Sequence, residues 1–583
     1  MIGKERFEGY SLAGFRKDLV SGLVVGIIAI PLGMAFAIAS GVKPEYGIYT
    51  TVVAGILISL FGGSKFQIGG PTGAFIPVLL AIVMQYGYED LLIAGFLAGI
   101  LLVLMGVLRL GVLIRYIPRP VTVGFTAGIA VIIFSGQIAG FLGLSGIRKH
   151  EEFVLNMREI VLHIGSINVY SVITAGISLA VLLLASRFLS KVPGALLGLV
   201  ISSAVAALFF KGQVATIGSS FGAIPSGLPP LHIPELTWER VAAMLQPAFI
   251  IAVLGGIESL LSAVVADNMS GSRHNSNREL IGQGIANMAA PLFGGIPATG
   301  AIARTAANIK NGAVSPLSGI IHGFVVLLVL LLFAPYASHI PLAGMAPVLM
   351  LVAWNMSERK EFMHILKTKT SDSLVLVVTF VLTVFTNLTI AVEAGLIMAV
   401  LLFVKRMSDL LNIAKVLPDP NSKHAKVRAH MVFEGHDCPQ IGIYTIEGPL
   451  FFGAVGRFEK SLLAAPLRPK PNILLLRMSR VPFMDTTGAY QLSGLVKRYR
   501  KQGGLVLFAG IQPQPLDMLR KTGLYEQIGA DRFFEHTGEA INYALERLNP
   551  AKCRGCKHFV FRECAALSEG KGAQPAAVVA GNS

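Results

Sequence analysis

The chain has 583 residues, of which 53% are hydrophobic and only 14% charged. Soluble domains carry roughly 25% charged residues, so a disordered chain and an ordinary soluble enzyme are both excluded, and lipid becomes the main solvent. The net charge of +16 does not require nucleic acid as a partner, because cytoplasmic loops of membrane proteins collect Lys and Arg. The 63 glycines suit close helix packing or interrupted helices. All four cysteines follow residue 437 and cannot staple the chain, which fits a reducing compartment.

Residues 1–17 read as a short N-terminal segment and 18–408 as a membrane domain. Leu19 to Val42 carries no charge. At 1.5 Å per residue it crosses a ~30 Å hydrocarbon core, and it is too long for the roughly 7–15-residue apolar region of a signal peptide. Further apolar runs lie near 46–63, 66–88, 91–108, 120–145, 167–186 and 192–210. A second set lies near 245–266, 280–294, 297–309, 313–337, 341–356, 373–392 and 394–404. Together they predict about 14 segments, the short ones needing neighbours. With the N-terminus in the cytoplasm, the inside loops hold about 19 basic residues, among them Arg16, Lys17, Arg109, Arg119 and Lys310, against about 6 outside. An even number of spans returns the C-terminus to the cytoplasm.

Two apolar segments are broken in the same way. One reads Gly69-Gly70-Pro71-Thr72-Gly73-Ala74-Phe75, the other Gly294-Gly295-Ile296-Pro297-Ala298-Thr299-Gly300-Ala301-Ile302. Irregular backbone at membrane depth survives only where it is buried in protein or lines a cavity, and such paired breaks mark a transporter's midplane site. Each break would start a half-helix whose free N–H groups and positive dipole end face the cavity. The candidate anion site therefore comprises Thr72, Gly73, Ala74 and Phe75 with Gly300, Ala301, Ile302, Ala303 and Arg304.

Beyond a linker at 409–429, marked by Pro418-Asp419-Pro420-Asn421-Ser422, the texture changes. Roughly a fifth of residues 426–549 are charged. Ile441–Ile446, Ile473–Met478 and Leu505–Ala509 read as strands, and Thr486–Tyr499 and Gln514–Lys521 as amphipathic helices. Residues 430–549 are thus a small α/β domain, followed by a Cys-containing tail at 550–583.

The two breaks, together with Ile30-Pro31-Leu32-Gly33-Met34-Ala35 and Pro44-Glu45-Tyr46-Gly47-Ile48-Tyr49-Thr50, resemble those of the SulP anion transporters. The α/β domain resembles the STAS domain that follows the membrane part in that family. The resemblance implies a polytopic helical protein built as a seven-plus-seven inverted repeat, with a core domain moving against a gate domain, and it implies a homodimer. It also places Phe36, near Leu32 on the first helix, at the substrate. Leu32 stands where many relatives carry Gln.

Few ionisable residues fall within the spans, the clearest being Glu258, Arg304 and His322. A charge there costs about 2.5–3.5 kcal/mol or more on insertion scales, so each needs a partner or a cavity. Ser262 follows Glu258 by one turn on the same helix face. In bicarbonate relatives the matching acid, an Asp, and hydroxyl help bind sodium. Here the acid is Glu, and a carboxyl in an apolar pocket suits proton binding. Arg304 either attracts the anion or neutralises Glu258, and His322 reads as a packing residue.

Asp485 precedes an apolar-periodic stretch and reads as an N-cap, with Thr486 and Thr487 on the first turn. In anti-sigma-factor antagonists that the domain resembles, the second hydroxyl residue is phosphorylated, here Thr487, so the motif is a candidate for regulation and for a cytoplasmic protein partner. Cys553, Cys556, His558 and Cys564 offer three thiols and an imidazole for zinc in a non-standard spacing. The alternative is free thiols.

The reading is a secondary active oxyanion transporter of the inner membrane, with sulfate as substrate and Glu258 carrying a coupling proton. Sodium-coupled bicarbonate or C4-dicarboxylate transport, or an anion channel or exchanger, are the alternatives. No cofactor beyond the coupling ion is expected, nor an enzyme activity, since no HExxH or convergent nucleophile–base set is visible.

Overall fold

The computed structural model describes residues 10–111, 117–150, 152–188, 193–386, 388–415, 438–458, 471–558, 560–561 and 564–569. The linker motif Pro418–Ser422, the start of the N-terminal segment and the tail past residue 569 lie outside the described residues. The chain divides into two compact units, Met1–Ala399 and Val400–Ser583.

In the first half of the chain the main helices are Leu12–Ala39 (α1), Pro44–Phe61 (α2), Ile76–Tyr86 (α3), Tyr88–Val107 (α4), Arg119–Gly136 (α5), Val169–Phe188 (α6) and Gly194–Phe209 (α7). Then follow Trp238–Ser270 (α8), Ser276–Leu292 (α9), Ile302–Lys310 (α10), Leu317–Ala337 (α11), Leu342–Met356 (α12), Ser371–Phe385 (α13) and Leu388–Asp409 (α14). Two short strands, Gly69–Gly70 (β1) and Thr299–Gly300 (β2), interrupt them. Six helices among the described residues are long and apolar enough to cross a membrane by length and composition. Large apolar side chains such as Val107, Leu208, Phe209 and Trp238 stand on the outer surface, as lipid-facing residues must.

The packing is reciprocal between the halves. α1 packs on α11 while α8, the corresponding helix, packs on α4; α2 packs on α11 while α9 packs on α4. Among the remaining helices, α5 packs on α13 and α12 on α6. Each pair maps onto the other when positions shift by seven helices, which is the contact pattern of an internal repeat. Helices α1–α4 with α8–α11 form one packed group, and α5–α7 with α12 and α13 another. α1 touches α7 and α12, and α3 touches α5, across the division.

Glycines in the two segments Ile30–Ala35 and Pro44–Thr50 explain how α1 and α2 come so close. A Cβ on Gly47 would overlap the carbonyl oxygen of Gly33, and one on Gly33 would stand 2.9 Å from Thr51 Oγ1. Two buried acids are held by N–H groups beside the ends of neighbouring helices. Asp18 accepts from the N–H of Val314 (2.8 Å) and from Ser315 Oγ (2.6 Å), and Glu279 accepts from the N–H of Gly63 (2.8 Å) and Ser64 (3.0 Å). Such charge-assisted bonds are what allow a carboxylate to be buried.

The second unit carries a five-stranded sheet of Asn412–Lys415 (β3), Ile441–Glu447 (β4), Ile473–Arg480 (β5), Leu505–Ala509 (β6) and Phe533–Phe534 (β7), in that order. β3 runs antiparallel to β4 and the rest are parallel. The strand β3 lies in the segment read as linker. Four residues are too few to signal a strand in sequence, and it is the pairing with β4 that orders them. Alternation along β5 splits the core in two: Leu474, Leu476 and Met478 face Thr486–Lys501 (α15), and Ile473 and Leu475 face Thr537–Leu545 (α16). Val560 and Phe561 of the tail are buried in that second core, with Cys564 and Leu567 packed against it.

Gly47→Ala is expected to lower the thermal unfolding midpoint of the purified protein, at a cost of about 1–3 kcal/mol for overpacking. Gly176→Ala, in α6 with nothing within 4 Å of the new Cβ, should leave it unchanged or slightly higher. Fluorescence-detected unfolding in detergent checks both.

Candidate anion site

The two sequence breaks meet. β1 and β2 pair antiparallel, Gly69 opposite Gly300 and Gly70 opposite Thr299, and the Ala301 N–H continues the ladder to the Ile68 carbonyl at 2.8 Å. The crossing satisfies backbone groups that lipid could not. It also demands glycine. A Cβ on Gly69 would overlap Ile58 and one on Gly300 would overlap Gln67, while Gly70 has φ +149° with Arg304 pressed against it.

A helix leaves each side of the crossing. Gly73–Phe75 forms a 3-10 turn leading into α3, and α10 starts at Ile302. The first N–H groups of each lack intrahelical partners and carry the positive end of the dipole. A Cβ on Gly73 would lie 2.9 Å from Met356 Sδ and 3.3 Å from Ile133 Cδ1, so this start faces α12 and α5 of the other helix group.

A frame of buried polar side chains holds the crossing. Ser259 Oγ accepts the Gly300 N–H (3.0 Å) and lies 2.6 Å from Thr299 Oγ1, which donates to the Gly255 carbonyl at 2.9 Å. Gln67 Nε2 donates to the Ser259 carbonyl at 3.0 Å, and Thr305 Oγ1 accepts the Ile68 N–H at 3.0 Å. Asn287 pairs its amide with both the N–H and the C=O of Ala298, each at 2.8 Å. Upstream of the second crossing strand, the Ile296 N–H donates to Thr50 Oγ1 (2.7 Å) and Tyr88 Oη to the Gly294 carbonyl (2.6 Å).

Of the residues singled out in sequence, Thr72 and Glu258 come together directly: Thr72 Oγ1 donates to Glu258 Oε2 at 2.9 Å. Arg304 is buried, and its Nη2 donates to the Pro71 carbonyl, bridging the second half-helix to the first break. Its Nη1 is buried with no hydrogen-bond partner among the described residues. Arg304 and Glu258 feel each other's charge, yet no ion pair within 4.0 Å joins them. Ser262, the other residue read as ion-coupling, bonds to α10. It is fully buried and donates to Thr305 Oγ1 at 3.3 Å, so it braces α8 against α10.

Phe75 is buried with its ring tip against Gly255, one turn before Glu258, and Phe36 is buried in the same apolar core. Gly300 and Ala301 are buried, Ile302 is half-buried and Ala303 exposed. His322 packs its ring against Gly55. Gln67, Ser259, Thr299, Thr305 and Asn287 were not selected from sequence. Their one signal was polarity inside apolar runs, which does not distinguish a brace from a ligand.

The other two sets lie in the second unit. Asp485 Oδ1 caps α15 by accepting the Gly488 N–H at 2.8 Å, Oδ2 accepts the Phe452 N–H at 3.0 Å, and Thr486 is exposed while Thr487 is half-buried. Cys553, Cys556, His558 and Cys564 gather near one cavity; among the described residues no three His, Cys, Asp or Glu side chains stand close enough to hold a metal ion as placed.

Two half-helices starting from one crossing, inside a repeated helical bundle and followed by an α/β domain, define a polytopic membrane transporter. Residues 15–379 match the model of the sulfate permease family and residues 435–540 that of the STAS domain. The chain belongs to the sulfate permease family. It is 57% identical over 534 residues to the Bacillus subtilis protein named "Putative sulfate transporter YvdB", covering 92% of this chain and 98% of that one. It is 28% identical over 561 residues to the bicarbonate transporter BicA of Picosynechococcus sp., covering 92% and 95%. The overall structure of SLC26A9 superposes with a TM-score of 0.82 at 21% identity, over 92% of this chain and 91% of that one, which is a likeness of fold.

Gly300→Ala is expected to weaken folding by about 1–3 kcal/mol by displacing Gln67 from Ser259. The double variant Gln67→Ala/Gly300→Ala should recover part of that loss, since the two residues collide. Unfolding midpoints of the two single variants and the double variant measure the coupling.

Proposed function

We propose that this chain is a proton-coupled importer of a small oxyanion, with sulfate as the first choice. The observation that carries the anion reading is the buried, unpartnered Nη1 of Arg304 beside Gly70, where two half-helix starts converge. A buried guanidinium nitrogen without an acceptor is costly, and an anion seated there would supply one while meeting both positive helix ends. Sulfate is favoured by the name of the 57%-identical relative. The bicarbonate reading draws on the 28%-identical BicA.

Phe36, Thr72 to Phe75 and Gly300 to Arg304 would contact the anion, and Glu258 would carry the proton. Thr72 ties that carboxyl to the first break, so protonation changes what Thr72 can offer the anion. An anion entering a negative cell works against about 2.3 kcal/mol per charge per 100 mV, which a co-transported cation offsets. The chain would cross the inner membrane about 14 times with both termini cytoplasmic, as a homodimer, with the Asp485–Thr487 helix start available to a cytoplasmic partner.

Sulfate uptake into proteoliposomes, with and without an inward proton gradient, tests the reading. Wild type should be stimulated by the gradient, and Glu258→Gln should transport without stimulation or pH response. A Glu258→Gln protein that keeps the full response sinks the coupling role, and wild-type flux that ignores the gradient favours a channel. Arg304→Gln should raise the KM for sulfate about tenfold or more, the loss of one charge-assisted bond of about 1.5–3 kcal/mol. Competition by bicarbonate and fumarate ranks the substrates.

A further inference from the structure

All four cysteines of the chain converge on one place in the second unit. Cys438 lies just before β4, Cys553 ends the short helix Pro550–Cys553, and Cys556 and Cys564 follow in the tail. Together with Gln440 and the exposed His558 they line a cavity of about 20 Å³, enough room for a single ion or water. The sequence pattern offered three of these thiols with His558. The fold adds Cys438, which no spacing rule connects to them.

The surroundings are those of sulfur ligands. Gln440 Nε2 donates to Cys553 Sγ at 3.2 Å, and the Phe561 N–H donates to Cys564 Sγ at 3.2 Å. Gln440 is itself fixed, accepting the Asn549 N–H at 2.9 Å and donating to the Asn549 carbonyl at 3.2 Å. Gly555, in the left-handed region at φ +70°, turns the chain between Cys553 and Cys556. N–H donors of this kind orient thiolates and hold their charge in metal sites.

Four thiolates lining one cavity would repel, and a cation at their centre reverses that balance. In a reducing compartment, clustered cysteines serve metal binding more readily than disulfides.

We propose that Cys438, Cys553, Cys556 and Cys564 form a four-thiolate site for a soft tetrahedral divalent cation of the zinc class, which fastens the C-terminal segment to the sheet. The thiols release their protons as they ligate, and their side chains rotate inward from the positions described to reach ligand distance of about 2.3 Å.

The test uses the full-length protein purified in detergent under reducing conditions. Its zinc content should be one per chain after loading with zinc and desalting. Cobalt in place of zinc should give the intense visible and near-ultraviolet bands of a tetrahedral four-thiolate site. Losing a partner one step removed from a metal costs roughly 10–100-fold, so Cys438→Ser should weaken zinc binding at least tenfold and shift the cobalt bands. His558→Ala should change neither. Zinc well below one per chain, or a wild-type cobalt spectrum without thiolate bands, overturns the proposal whether or not Cys438→Ser folds. So does a His558→Ala protein that loses the metal while Cys438→Ser keeps it, or disulfides among these cysteines in protein kept anaerobic.

Discussion

Backbone N–H and C=O groups at membrane depth have no water to bond, and the way those of Ile68–Gly70 and Thr299–Ala301 bond to each other organises the whole membrane unit. By pairing as two antiparallel strands, the breaks allow two helices to begin in the protein interior. The pairing needs glycine on both sides, which is why both breaks are written with the same residues. It also places polar side chains in the apolar core: Ser259, Thr305 and Asn287 bond backbone groups of the crossing, and Gln67 and Thr299 tie it to carbonyls of α8.

From that crossing the chemistry follows. Thr72 leaves the first strand and bonds Glu258, and Arg304 leaves the second and bonds back to the Pro71 carbonyl. Acid and guanidinium are thus both tied to the first break, near enough to sense each other without an ion pair. A closed pair would leave little free for an anion or a proton. Backbone and hydroxyl contacts, rather than a direct ion pair, hold the two groups in place. Gly73 meanwhile abuts Met356 and Ile133, so the half-helix start lies where the two helix groups touch.

Much of this was legible before any coordinates. Apolar runs located the long helices, although α1 and α8 begin at Leu12 and Trp238, well before their runs, and α13 ends at Phe385, well before its run does; the strands at Ile441, Ile473 and Leu505 begin where short apolar runs begin. Asp485 caps its helix as its position before an amphipathic stretch implied. Ser262 was legible only in part. Its spacing puts it on one face with Glu258, but its actual partner, Thr305, comes from another helix. The strand Asn412–Lys415 and the docking of Val560 and Phe561 were not visible, since four residues carry no period and a tail's apolar pair has no local partner.

The sequence by itself determined the solvent, the two-part organisation and the positions of the broken helices, because hydropathy, charge density and Gly/Pro placement act locally along the chain. Only the tertiary structure decided that the two breaks cross, that Thr72 rather than Ser262 reaches Glu258, and that Cys438 joins the tail cysteines. Those contacts join residues far apart in the chain, and the physical reason is the same for each. A buried polar or thiol group takes its partner from whichever element the packing brings within bonding distance, and spacing along one chain does not encode that distance.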